Sequence, residues 1–450
     1  MRVHFIAVGG SAMHNLAIAL HKKGFEVSGS DDILTEPSKS RLKRFGLLPV
    51  EAGWFPEKIS ADLDAVILGM HAKTDNPELL EAQKKGIKIY SYPEYIYEQS
   101  KNKIRVVIGG SHGKTTITSM ILHVLKEASV NFDYLVGAQL EGFDTMVKLT
   151  DAPLIVIEGD EYLASPIDRR PKFHLYQANI GLISGIAWDH INVFPTFAIY
   201  REQFAVFINT IKVDGELIYC EQDEVLKKLV QESSSDIQKV AYNLPAHQIN
   251  NGVTSLIYQD KQYPLQVFGN HNLLNIEAAK TVCKSLQIEE EIFYKAIGTF
   301  KGAAKRLELI GQNLETNIYK DFAHSPSKLV ATINAVKQQF TNRNLVACIE
   351  LHTFSSLNKS FLQEYNGTMD AADNAIVFID EHTFVQKNME PYSAQQVKEA
   401  FNNKDIMFFN QAEELFKYLK NLNYKNTNLL LMSSGTFAGT DLTDFVETIL

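Results

Sequence analysis

The sequence predicts an α/β protein of three domains built on parallel sheets. Three observations predict it. Short apolar runs alternate with helical patterns through the first hundred residues, a glycine-rich loop joins a β-branched strand to a helix at 109–116, and the alternation resumes after residue 300. Strands that alternate with helices pair in parallel, because a parallel crossover needs a helix-length connection. The length of 450 residues fits roughly three domains.

The elements follow in order. Val3 to Val8 reads as a buried strand that ends at Gly9-Gly10, Ala12 to Lys22 as a helix, and Glu26 to Gly29 as a second strand. Ala65 to Leu68 and Ile87 to Tyr90 continue the rhythm. A polar stretch, Gln99 to Lys103, then precedes a fresh strand, Ile104 to Ile108, and marks a first boundary. Leu154 to Ile157 and Ile180 to Ile186 read as strands of the second domain. Lys301-Gly302-Ala303-Ala304-Lys305 reads as a second linker. Strands at Leu345 to Ile349, Ala375 to Ile379 and Leu429 to Met432 complete the third domain.

Composition excludes several classes. Apolar residues make up 45% and charged residues 22%, the balance of a soluble globular chain. The net charge is −9, which argues against a broad nucleic-acid footprint, although a local cluster still suffices for a small anion. No stretch approaches the roughly 18 apolar residues of a membrane span, so a cytoplasmic location is expected. Cys220, Cys283 and Cys348 are odd in number and far apart, which fits neither a disulfide framework nor a metal-ligand spacing.

The strongest local signal is Gly109-Gly110-Ser111-His112-Gly113-Lys114-Thr115-Thr116 between Val106-Val107-Ile108 and a helical pattern from Ile117 to Lys126. Glycines let backbone N–H groups turn onto phosphate oxygens, and the helix N-terminus adds positive partial charge. Lys114, on a solvent-facing turn, is expected to neutralise the β/γ-phosphates of a nucleotide, and Thr115 to ligate Mg²⁺. Ile108 stands where the strict pattern has its first glycine. Glu158, closing the strand before Gly159-Asp160-Glu161, suits a second magnesium contact. His190, in Trp188-Asp189-His190, follows another strand of the same sheet, and ligands of open α/β sheets gather at the carboxyl ends of strands. Taken singly, the acidic turn reads equally well as solvated, and a lone histidine as structural.

In this order the three signals resemble the Mur ligases. Gly269-Asn270-His271-Asn272-Leu273-Leu274-Asn275 is similar to the family's glycine-His-Asn-x-x-Asn motif, whose asparagines hold adenine. Phe300-Lys301-Gly302 with Lys305-Arg306-Leu307-Glu308 resembles the segment that opens its third domain, and Asp321-Phe322-Ala323-His324-Ser325-Pro326 its Asp-aromatic-x-His-His-Pro turn. Met432-Ser433-Ser434-Gly435 resembles the last glycine turn, and Val8-Gly9-Gly10-Ser11-Ala12-Met13 with Gly29-Ser30-Asp31 the UDP-binding loops. Two positions depart from the pattern. Ser325 replaces a histidine, and Glu350-Leu351-His352-Thr353 lacks the arginine that family members carry there to help hold the carboxylate of the incoming amine.

The resemblance implies an N-terminal Rossmann-like UDP-sugar-binding domain (1–103), a central P-loop ATPase-like domain (104–300) and a C-terminal Rossmann-like ligase domain (301–450). It implies ATP contacts from Gly110, Ser111, His112, Gly113, Lys114, Thr115, Thr116, His271, Asn272, Asn275, Arg306 and Asp321. UDP-substrate contacts would come from Gly9, Gly10, Ser11, Ala12, Met13, Asp31 and His71, and the amine region from His324 and His352. Metal ligation falls to Thr115, Glu158 and His190, and catalysis to Lys114, Glu158 and His190. The implied reaction activates a UDP-N-acetylmuramate carboxylate as an acyl phosphate for attack by an amine. Two branches use that sugar: one adds L-alanine, the other an L-alanyl-γ-D-glutamyl-meso-diaminopimelate tripeptide. Tyr162 and the run Asp168-Arg169-Arg170-Pro171-Lys172-Phe173 resemble the tripeptide branch. A nucleotide-binding regulatory protein without ligase activity is the alternative of another class. A nicotinamide dehydrogenase fits poorly, since no Gly-x-Gly-x-x-Gly is present.

Overall fold

A computed structural model of the chain describes residues 1–140, 142–190, 192–250, 252–302 and 306–450. Of the linker expected at 301–305, residues 303–305 lie outside the described residues. The chain forms two compact units, one of residues 1–243 and 277–293, the other of 244–276 and 294–450.

The first unit holds two sheets. Strands β1 (Arg2–Ile6), β2 (Glu26–Ser30), β3 (Ala65–Leu68) and β4 (Ile89–Ser91) form an all-parallel sheet of order β2-β1-β3-β4. Strands β5 (Ile104–Gly109), β6 (Asp133–Leu135), β7 (Val147–Lys148), β8 (Leu154–Glu158), β9 (Ile180–Ile183), β10 (Glu216–Cys220) and β11 (Gln238–Tyr242) form a sheet of order β11-β10-β9-β5-β8-β6-β7. Only the β7 edge is antiparallel.

In the second unit β12 (His247–Asn250), β13 (Val253–Tyr258) and β14 (Lys261–Pro264) form a small antiparallel sheet. Strands β15 (Glu308–Gln312), β16 (Asn317–Asp321), β17 (Asn344–Glu350), β18 (Asn374–Phe378), β19 (Met407–Phe409) and β20 (Thr427–Met432) form a sheet of order β15-β16-β20-β17-β18-β19. This last sheet is doubly wound. Leu345, Ala347, Ile349, Leu430 and Met432 pack on one face with Leu329, Ile333 and Val336 of the helix Pro326–Gln339. Val346, Cys348, Leu429 and Leu431 pack on the other with Leu415, Phe416 and Leu419 of the helix Ala412–Lys420. The period-two alternation of strand side chains feeds both cores, and each fully buried Leu or Ile contributes about 1.5–3 kcal/mol.

Some expected bounds shift. The first strand ends at Ile6, because Ala7 has φ 66° and starts the glycine turn. The strand expected over 180–186 stops at Ile183, where Ser184 turns toward the phosphate loop. The helix expected from Ile117 begins at Lys114. All three cysteines are buried and free.

Arg105, on β5, is fully buried. Its Nη1 donates to the carbonyls of Ser100, Lys101 and Lys103, and its Nε to those of Tyr176 and Gln177. Nη2 adds a bond to the Gln177 carbonyl at 3.0 Å. The guanidinium fork thus closes the end of the helix Tyr92–Ser100 and fastens it to the chain entering β9.

Candidate active site

The central strand β5 has β8 on one side and β9 on the other, in parallel register. The carboxyl ends of the three strands therefore meet. From β5 comes the glycine loop 109–113, from β8 Glu158, and from the segment after β9 His190.

Loop geometry is set by two glycines. Gly110 has φ +122°, and a Cβ there would lie 2.2 Å from Ser184 Oγ. Gly113, at φ 73°, caps the helix Lys114–Glu127 in the left-handed region. Ser184 Oγ donates to the His112 carbonyl, Ser111 N donates to the Gly185 carbonyl at 3.0 Å, and Ser111 Oγ lies 2.8 Å from Tyr200 Oη. Thr116 is buried in the first helical turn.

The charged groups interlock. Lys114 Nζ donates to Glu161 Oε2 at 2.8 Å and to the Gly110 carbonyl at 2.6 Å. Its side chain is only 16% exposed, so the expected solvent-facing lysine is instead largely buried against Glu161. Burial works against the ammonium, but the neighbouring carboxylates, Glu161 first, hold its pKa above the usual lysine value. Thr115 Oγ1 donates to Glu158 Oε1 at 2.7 Å, and Gly137 N to Glu158 Oε2 at 2.7 Å. Burial raises the Glu158 carboxyl, and these two donors partly oppose the rise.

His190 takes a left-handed backbone, φ 53°, uncommon for a residue with a side chain. Its Nε2 lies 3.7 Å from Glu161 Oε1, and its ring meets Tyr162 edge-on at 5.4 Å. The partner shown for His190 is thus Glu161 rather than Glu158. Around Tyr162, Lys172 Nζ donates to Asp160 Oδ2 at 2.6 Å, and Arg170 pairs with Asp168 at 2.7 Å and with Glu94 at 3.3 Å. Burial raises Asp160, yet Lys172, Lys114 and the Tyr162 N–H together outweigh it and leave the carboxyl below its ordinary value.

The N-terminal glycine turn is held from within. Gly9 N donates to Asp31 Oδ2 at 2.6 Å, and a Cβ on Gly9 would fall 2.8 Å from that oxygen. Burial raises the Asp31 carboxyl against that N–H. Met13 and His71 both pack beside Gly10. Ser11 and Ala12 open the helix Ser11–Lys22.

In the second unit, Gly269 has φ +88°, and a Cβ there would lie 2.4 Å from Ala335 Cβ. His271, Asn272 and Asn275 follow on the helix Asn270–Ser285. Asn272 Nδ2 donates to the Phe268 carbonyl at 2.9 Å, and Asn275 is 8% exposed. Burial pushes His271 down to about 4, so its ring is neutral. Asp321, ending β16, accepts from Leu307 N at 2.5 Å and from Ala323 N at 2.7 Å. The Arg306 guanidinium lies 4.7 Å over the Phe322 ring, and His324 Nδ1 lies 2.8 Å from the Phe322 carbonyl. His352 follows β17, with its pKa lowered by burial and by Lys387.

Thr115 and Glu158 offer hard oxygen donors 2.7 Å apart beside a lysine, a set that fits Mg²⁺ completed by phosphate oxygens and water. Among the described residues, no group of three or more His, Cys, Asp and Glu is set to hold a metal. Sequence reasoning missed Glu161, Tyr200 and Ser184. Glu161 stood in the acidic turn Glu158-Gly159-Asp160-Glu161, but only the fold shows that it faces Lys114. Tyr200, inside the helix Phe197–Thr210, gave no local signal. No described helix is long and apolar enough to cross a membrane.

Comparison with known proteins follows the same order along the chain. The Mur ligase family catalytic domain matches residues 2–103, the Mur ligase middle domain 108–283, and the Mur ligase glutamate ligase domain 305–435. A UDP-N-acetylmuramate–L-alanine ligase of Aquifex aeolicus is 27% identical over 448 residues, covering 97% of this chain and 95% of that protein. The crystal structure of the UDP-N-acetylmuramate–alanine ligase of Thermotoga maritima superposes with a TM-score of 0.70 at 21% identity, covering 99% of this chain and 98% of that one. A murein peptide ligase of Psychrobacter arcticus gives 0.64 at 19% identity, over 100% and 98%. The two solved structures share the three-domain α/β fold with this chain. Matched in all three successive segments, the chain belongs to the Mur ligase family, whose members are ATP-dependent, ADP-forming amide ligases acting on peptidoglycan precursors.

Proposed function

We propose that the chain joins the lactyl carboxylate of UDP-N-acetylmuramate to the amine of the L-alanyl-γ-D-glutamyl-meso-diaminopimelate tripeptide, in the cytoplasm, as a murein peptide ligase does. One observation carries the ligase part. Lys114, Thr115, Glu158, Glu161 and His190 converge at the ends of three adjacent strands. The tripeptide part rests on the resemblance of Tyr162 and the run Asp168–Phe173 to the tripeptide branch, with Lys172 lying 5.9 Å over the Tyr162 ring and that ring edge-on to His190. The second reading, addition of L-alanine, is favoured by the activity named for the Aquifex relative.

The chain takes the UDP-sugar, the nucleotide and the amine, with 1–103 as the UDP-sugar-binding domain, 104–300 as the ATP-binding domain and 301–450 as the ligase domain. Gly9, Gly10, Ser11, Ala12, Met13, Asp31 and His71 serve the first. Gly110 to Thr116, with His271, Asn272, Asn275, Arg306 and Asp321, serve the second. His324 and His352 serve the third. Transfer of the γ-phosphoryl group breaks its bond to ADP and forms a mixed anhydride on the lactyl carboxylate. The amine nitrogen then attacks the carbonyl carbon, phosphate leaves, and the amine's proton passes to solvent. Both reactants are anions, so the residues mainly screen charge and position groups. Lys114 would meet the phosphates, and Thr115, Glu158 and His190 would be the residues that hold Mg²⁺. When bound, Mg²⁺ screens the phosphoryl charge.

The test is phosphate release from ATP with UDP-N-acetylmuramate and L-alanine, dipeptide, tripeptide or tetrapeptide. Release is expected only with both co-substrates present. The tripeptide's kcat/KM should exceed that of L-alanine by about 10–100-fold, the worth of an extra charged contact. Preference for L-alanine would replace the tripeptide reading with the alanine one. Turnover needing neither co-substrate would sink the ligase reading.

A further inference from the structure

The carboxyl end of β17 lies beside the turn after β20. Glu350 is buried there and already committed, since Ser433 Oγ and Phe437 N both donate to its Oε2. A Cβ on Gly435 would fall 2.8 Å from Glu350 Oε2 and 3.0 Å from His352 Cδ2. Glu350, His352 and the Ser433–Gly435 turn thus form one packed cluster. No arginine stands in the 350–353 segment.

A cation enters this cluster from elsewhere. Lys387 is the last residue of the helix Glu381–Lys387, and its Nζ donates to the His352 carbonyl. The helix does not need that ammonium. Asn388 is left-handed at φ 53°, its N–H donates to the Val385 carbonyl at 3.2 Å, and Met389 N donates to the Phe384 carbonyl at 3.0 Å, so the helix end is already capped. Two other lysines of the same unit meet acids: Lys337 pairs with Asp373, and Lys359 with Glu390. Among the described residues Lys387 is shown with no carboxylate partner, and burial lowers its pKa. A half-buried ammonium without a counter-charge is costly until an anion arrives. One bond to a carbonyl leaves two of its three N–H donors for such an anion.

We propose that Lys387 binds a carboxylate of the incoming amine, in place of the arginine missing after His352. The assignment rests on the ligase reading and names the residue that recognises the acceptor. A lysine is a point charge rather than a planar fork, so it fixes the carboxylate's charge more than its orientation. That suits an acceptor whose several carboxylates arrive on a flexible chain.

The experiment uses the full chain with saturating ATP and UDP-N-acetylmuramate. The amine is varied as L-alanine against L-alaninamide, and as the tripeptide against its C-terminal amide. Lys387→Met should raise KM for the better carboxylate acceptor about 10–100-fold, with a smaller change in kcat. For the matching amide KM should change less than about twofold, and Lys387→Arg should recover most of the loss. Equal effects on acid and amide, or none on either, overturn the assignment. So does a loss that Lys387→Arg fails to rescue. Absence of turnover by the unaltered chain with every amine overturns the ligase reading, and this assignment with it.

Discussion

Two regions of the molecule handle charge in opposite ways. At the phosphate loop Lys114 meets Glu161, and Thr115 meets Glu158. At the end of β17, Lys387 is shown among the described residues with a backbone carbonyl and no carboxylate, while Glu350 is spent on a hydroxyl and an amide. The first region is compensated internally and, on the proposed function, would exchange partners when a polyphosphate arrives. The second, on the assignment of Lys387 proposed above, would leave a charge for its ligand to complete. The difference teaches where selectivity resides. A compensated site accepts its ligand by substitution, whereas an uncompensated one rewards only a ligand of the right sign.

The largest effect should come from breaking the compensated side. Lys114→Ala is expected to cut turnover by about 10³-fold or more, measured as phosphate release. It also strands Glu161, whose side chain is 1% exposed, and so lowers stability. The double variant Lys114→Ala with Glu161→Gln should regain stability in denaturant but not turnover. If turnover returns, Lys114 acts only as a counter-ion.

A smaller effect is expected for His190→Ala. Turnover should fall roughly 10–100-fold, and the Mg²⁺ concentration for half-activity should rise. Unchanged activity with unchanged metal dependence would make the residue structural.

Smallest is a pH effect that separates folding from chemistry near the compensated region. His174 is 8% exposed, and its Nε2 lies 2.7 Å from the Gln203 carbonyl. Burial pushes its pKa down from 6.5 to about 4. A depressed folded-state value means the stabilisation is complete above the unfolded pKa, near 6.5, and is lost as pH falls toward 4. Denaturant unfolding should weaken by on the order of 2 kcal/mol across that window. His174→Gln should flatten the slope, and an undiminished slope would place the titration elsewhere.

Much of this was legible in the sequence, for physical reasons. Buried parallel strands are unbroken apolar runs, so Val106-Val107-Ile108 and Leu154 to Ile157 announced themselves. Lys114 and Thr115 were readable because a phosphate loop is contiguous in sequence. The β12–β14 sheet gave no such signal, since its edge strands β12 and β14 bury no side chain fully. Glu161 facing Lys114 and Lys387 reaching His352 were invisible, because each pair joins separate elements that only the tertiary fold brings together. Ala7 left its apolar run through a backbone turn that hydrophobicity does not encode.

Arg105 carries a consequence for how the first unit breathes. Its buried guanidinium ties the end of the Tyr92–Ser100 helix to the carbonyls of Tyr176 and Gln177, and all of these lie within residues 1–243. Freeing any one of those segments strands donors of a group that cannot lose its proton. Local fraying at the 100–103 connection is therefore suppressed. The β4–β5 junction should open together with the entry to β9, and the amide protons of both stretches are expected to exchange in one cooperative event.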